Sequence, residues 1–117
     1  MNNRGNVVKE KSYRFALDII HLVKALPRNT AGYALGKQII RSGTSIGANI
    51  EEAIGASSKK DFTYKMCVAK KEARETLYWL GLLIDSELAN NSKSKRLIDS
   101  ANELIRILTA IVKTSEQ

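Results

Sequence analysis

Residues 38–52, QIIRSGTSIGANIEE, decide how this chain folds. Gln38, Arg41, Ser45, Asn49 and Glu52 recur there at spacings of three and four, so on a helix they form one polar ridge. Leu35, Ile39, Ile46 and Ala53, with Ile40, Ile50 and Ile54 beside them, form an apolar flank that must be covered by other elements. The stretch is therefore one surface of a packed helix.

The same period extends in both directions. Residues from about 7 to 26 carry Val8, Phe15, Ile19, Leu22 and Leu26 on one seam, which Tyr13, Ala16, Ile20 and Val23 widen. Pro27 stops this segment, because the residue before a proline is pushed out of the helical region. The second helix is expected over 30–54, with Asn29 or Thr30 as its cap and Gly55 as its stop. A third is expected over about 58–88, begun by Ser57 or Ser58 with Asp61 in its first turn. After the polar turn Asn90-Asn91-Ser92, a fourth over about 93–114 has Leu97, Ala101, Leu104, Leu108 and Ile111 as its seam. No segment alternates with the period of two that marks a strand. The 117 residues read as one all-α domain, an antiparallel up-down-up-down four-helix bundle, because short loops return each helix beside the last.

Gly32, Gly36, Gly43, Gly47 and Gly55 lie in or at the edges of the second helix. Each interior glycine costs about 1 kcal/mol of helix propensity relative to alanine, which close approach of another backbone would offset. The second and third helices form a hairpin centred near residue 57, which sets Arg41 opposite Glu72 with Glu75 one turn away. With Gln38, Ser45, Asn49 and Glu52, these residues are expected to form a structural polar ridge in which a partly buried Arg41 fixes helix register. Breaking one partner of such a buried pair costs about 3–5 kcal/mol.

Composition narrows the chemistry. Hydrophobic residues are 44% and charged residues 26%, the balance of a globular protein. The longest apolar run, residues 77–84, falls short of the roughly 20 residues that cross a bilayer. No membrane association is expected, and the lack of a leader pattern makes the cytoplasm the expected location. One cysteine, Cys67, leaves no internal disulfide, and one histidine, His21, leaves no imidazole pair for a metal. Ser42, Thr44 and Ser45 have no histidine within helical reach to activate them. Glu51, Glu52, Glu72 and Glu75 resemble the carboxylates of di-iron bundles but lack their Glu-x-x-His pairing. We therefore expect no catalytic residue, no metal and no cofactor. His21 reads as a rim residue and Cys67 as a small buried hydrophobe.

The formal charge is +7, with a pI near 9.7. Residues 1–29 hold six basic side chains against two acids, so the excess is strongest at the start of the chain. Lys9, Lys11, Arg14 and Lys24, with Arg4, lie along the first helix, and Lys70, Lys71 and Arg74 along the third. These are the candidate contacts for RNA or DNA, since lysine and arginine gain affinity for phosphates by releasing counterions. No RNA-recognition or helix-turn-helix signature is present, so such binding would follow shape and charge rather than bases. In the run LYWLGLLI, apolar side chains cover more than half of the helix, which points to a subunit interface made by Tyr78, Trp79, Leu82 and Leu83.

The words Arg41-Ser42, Ser45-Ile46, Asn49-Ile50 and Glu52, then Asp61-Phe62 and the run from Glu72 to Leu80, EARETLYWL, resemble the bacterial four-helix-bundle family also called 23S rRNA-intervening sequence proteins. The resemblance covers nearly the whole chain. It implies rings of five bundles around a central channel. It also implies kinship with the accessory variability determinant of diversity-generating retroelements, which serves a reverse transcriptase. Taken together, the expected protein is a non-enzymatic homo-oligomer, a pentamer, that offers basic surface to RNA or DNA. The alternative is a structural ring that docks a protein partner such as a reverse transcriptase, its charge serving solubility.

Overall fold

The computed structural model describes residues 3–117, with side chains from residue 6 onward, so the side chain of Arg4 lies outside the described residues. Four helices follow one another: α1 (Asn3–Lys24), α2 (Thr30–Ile54), α3 (Lys59–Asp85) and α4 (Ser92–Glu116). Among the described residues there is no strand. Each helix packs against its two neighbours in cyclic order, α1 on α2, α2 on α3, α3 on α4 and α4 on α1, with no diagonal contact. The α2–α3 contact is the most extensive and the α1–α4 contact the least. The result is a four-helix bundle 45 × 21 × 18 Å.

The caps explain the boundaries. Asn29 is the residue that caps α2, its side chain accepting the Gly32 N–H at 2.8 Å. Ser58 caps α3 through the Asp61 N–H at 3.0 Å, and Asn91 caps α4 through the Ser94 N–H at 3.0 Å. α1 begins earlier than expected and closes at Lys24, where Ala25 and Leu26 donate to the carbonyls of Leu22 and Val23 in tighter turns before Pro27. α3 stops at Asp85 rather than near 88. There Ser86 donates to the Leu82 carbonyl at 2.9 Å, Glu87 takes a left-handed φ of 63°, and Ala89 folds back to the Leu83 carbonyl at 3.1 Å. Glycine or asparagine usually marks such a stop, and a glutamate gives no warning of it.

The seams expected for α1 and α4 are buried in the common core, from Val8 to Leu26 and from Leu97 to Ile111. Tyr13 is a correction: it is 69% exposed. The inward position beside it belongs to Ser12, which is buried against α2 with its hydroxyl donating to the Lys9 carbonyl at 3.0 Å. Gly47 lies beside it, where a Cβ would stand in ordinary contact, 3.4 Å from the Ser12 hydroxyl and 3.7 Å from its carbonyl carbon. A Cβ on Gly43 would stand 3.0 Å from two carbons of Ile19, and one on Gly36 would stand 3.3 Å from Val23. The glycine face of α2 thus receives α1, through side chains at Ile19 and Val23 and through backbone at Ser12.

On the other side of α2, Thr76 Oγ1 lies 2.9 Å from Ser42 Oγ and 2.8 Å from the Glu72 carbonyl, and its single hydroxyl proton serves one of them at a time. Both hydroxyls are fully buried. This pair sets α2 and α3 in one register, since a slip by one residue would strand a polar group in the core.

Two glycines give opposite expectations. A Cβ on Gly32 would lie 2.0 Å from the Pro27 carbonyl oxygen, whereas one on Gly81 would meet nothing within 4 Å. Urea unfolding should show Gly32→Ala losing about 1–3 kcal/mol. In the same assay Gly81→Ala should gain up to about 1 kcal/mol from helix propensity.

Candidate functional site

The polar ridge lies along the outer seam between α2 and α3. Arg41 reaches both expected carboxylates, donating to Glu72 Oε2 at 3.2 Å through Nη1 and to Glu75 Oε2 through Nη2. The same Glu75 oxygen accepts the Trp79 indole N–H at 3.0 Å, so one carboxylate joins α2, α3 and the ring. Glu52 pairs with Lys65 at 2.9 Å further along the seam. Ser45 and Asn49 instead bond back to carbonyls of their own helix, Ser45 Oγ to Arg41 at 2.7 Å and Asn49 Nδ2 to Ser45 at 2.8 Å. Gln38 is exposed.

Arg41 is partly buried, as expected, but it stands at the edge of the bundle and not in its interior. Its side chain is 50% exposed. Ser42 and Thr76 occupy the buried line between the helices, and a residue one position away is turned about 100° around the helix toward solvent. Glu72 is 16% exposed and Glu75 35%, so the network is a ladder at the bundle edge whose guanidinium is half in solvent, and the full value for breaking a buried pair does not apply to Arg41. At Lys65, the hydrogen bond to Glu52 and the attraction of that carboxylate raise the ammonium pKa above its ordinary 10.5. The lysine side of this pair therefore supports folding at any pH below that range and is lost only as pH rises through the raised value.

The outward face of α3 carries Tyr64, Cys67, Lys71, Arg74, Tyr78 and Leu82, all exposed. Of the residues expected at a subunit interface, Leu83 is wholly buried in the protomer's own core and is withdrawn from that surface. Trp79 is half-buried against the core, edge-on to Tyr78 with ring centroids 5.1 Å apart. Tyr78 is 61% exposed and Leu82 37% exposed, and they flank the uncrowded Gly81. The apolar run spreads around α3 because Leu80 and Leu83 point inward while Leu77, Trp79 and Ile84 cover its sides. Cys67 is likewise exposed rather than buried, because Met66, Ala69 and Ala73 hold the inward line.

The basic residues separate into two groups. Lys9 pairs with Glu51 at 3.1 Å and Lys11 with Glu103 at 3.3 Å, tying α1 to α2 and α4. Arg14, Lys24, Lys70, Lys71 and Arg74 form no ion pair among the described residues. Lys24 meets two cations that the sequence reading did not single out, Arg28 and Lys37, around a pocket of about 440 Å³ between α1 and α2. A signal for this grouping was present, since residues 19–50 contain no aspartate or glutamate. A second pocket of about 420 Å³, between α1 and α4, brings His21 and Asp18 together with Lys93 and Arg96. His21 is exposed there, at a rim as expected. Among the described residues no helix is long and apolar enough to cross a membrane.

Residues 4–110 match the family model described as 23S rRNA-intervening sequence protein. A solved structure with the same fold is that of a protein of unknown function from the S23 ribosomal protein family of Bacteroides thetaiotaomicron. It is 44% identical to this chain, with a TM-score of 0.88 over 94% of this chain and 98% of that one. No curated protein is significantly similar to the chain.

Because the Arg41 guanidinium is half in solvent, Arg41→Ala should lower unfolding free energy by about 1 kcal/mol in urea titration. A loss of about 3 kcal/mol or more would mean that the ladder is buried in solution.

Proposed function

This chain belongs to the 23S rRNA-intervening sequence protein family, and we propose that it works without catalysis, as a self-associating helical bundle that presents basic surface to nucleic acid. The observation that carries this reading is the pairing pattern. The charges of Lys9, Lys11 and Lys65 are met by carboxylates, while Lys24, Arg28, Lys37, Lys71 and Arg74 stand exposed without one. Their field extends outward, where a phosphate backbone exchanges its counterions for them. The hydroxyls of the central stretch support a non-enzymatic role, since Ser42, Thr44 and Ser45 all donate to backbone carbonyls.

Self-association is supported by α3. Tyr78 and Leu82 expose apolar surface, and Gly81 carries a propensity cost with no neighbour in the protomer to justify it. A second copy resting there would be able to approach the α3 backbone closely. Five copies, the assembly that the family resemblance implies, would multiply the charge fivefold on one particle. The second reading, a ring that docks a protein such as a reverse transcriptase, is favoured by the exposed tyrosines Tyr64 and Tyr78 on the same face.

Native mass spectrometry should find the wild-type chain as an oligomer, and Tyr78→Ala with Leu82→Ala should shift it toward monomer. Gel-shift titration should show binding to mixed RNA and DNA that weakens as salt rises, and Lys71→Glu with Arg74→Glu should weaken it by about tenfold or more. No binding at low salt, together with a protein that stays attached after nuclease treatment, would replace this reading with the adaptor.

A further inference from the structure

We infer that the pocket between the end of α1 and the first turns of α2 is a nucleotide subsite, taking an aromatic base with its phosphate. For a nucleotide within a single strand the inference rests on the nucleic-acid reading above; for a free nucleotide it stands alone.

The pocket has the three parts that such a ligand needs. Its floor is apolar, made by Val23, Leu26 and Ile40, and it stays open because Gly36 places no side chain there. Its wall includes Tyr33, whose side chain is 64% exposed and shows an aromatic face that the protein itself does not cover. Its rim holds Lys24, Arg28 and Lys37, with no carboxylate among the lining residues. The volume of about 440 Å³ lies within the range of roughly 300–1,000 Å³ usual for small-molecule sites.

Charge and ring together select the ligand. Three cations line one pocket with no carboxylate beside them, and together they attract an anion. Inorganic phosphate alone would use the rim and leave the tyrosine idle, while an uncharged aromatic would use the ring and leave the cations idle. A nucleotide uses both, since bases stack on aromatic side chains and phosphates take lysine and arginine. The pocket between α1 and α4 lacks this combination. Asp18 offsets Lys93 and Arg96 there, and the one ring that lines it is the smaller imidazole of His21.

The test uses the full chain, a labelled single strand of about ten nucleotides, and an abasic strand with the same number of phosphates. It adds adenosine monophosphate and inorganic phosphate as competitors. Anisotropy should show the base-bearing strand bound at least about fivefold more tightly than the abasic one. Tyr33→Ala should erase that preference while keeping salt-sensitive binding, and Arg28→Glu with Lys37→Glu should weaken both strands. Amide resonances of Gly32 and Gly36 should move with adenosine monophosphate and not with phosphate at equal concentration. Equal binding of the two strands, or a preference that survives Tyr33→Ala, overturns the subsite and leaves the nucleic-acid reading standing on Lys71 and Arg74. Response to adenosine monophosphate without strand binding keeps the subsite and removes the nucleic-acid reading. No response to any ligand removes both.

Discussion

The bundle depends on the places where α2 has no side chain. Gly43 admits Ile19, Gly36 admits Val23, and Gly32 admits the carbonyl of Pro27. α1 has little else to hold it, since its contact with α4 is the smallest in the molecule. The glycines cost helix propensity, and the buried Ile19 and Phe15 behind them offset that cost through apolar area removed from water. α2 is therefore the central element in a chemical sense, with glycine against α1 on one side and the Ser42–Thr76 hydroxyl pair against α3 on the other.

What the linear order of residues reveals about such a bundle follows from which features are local. The start of α2 is readable because Asn29 carries ordinary cap chemistry, and its end falls at Gly55 as expected although Gly55 keeps a φ of −88° and makes no use of glycine's left-handed freedom. The end of α3 is not, because Glu87 adopts a left-handed conformation that its identity does not suggest. Burial is readable where a position lies at the middle of an apolar stripe, as for Ile19 or Leu104. It fails one step to the side. Tyr13 and Cys67 sit next to the true inward line, Leu83 lies on it, and hairpin register says that Arg41 and Glu72 are level without saying how far each is turned.

The candidate site is harder to read for a related reason. A lysine's surroundings, rather than its presence, decide whether its charge is available, and Lys9 and Lys11 meet acids that come from other helices. Lys24, Arg28 and Lys37 are spread over fourteen positions and two helices, yet the turn at Pro27 folds them around one hollow. The long acid-free interval from 19 to 50 is the sequence trace of that hollow, and it becomes meaningful once α1 and α2 are seen to face each other.

The outward thiol of Cys67 gives the molecule a particular response to oxidation. With no second cysteine in the chain, a disulfide at this position joins two molecules and closes no loop within one. Oxidants would thus act on how copies of this protein are tethered to each other and leave the helical core beneath unaltered.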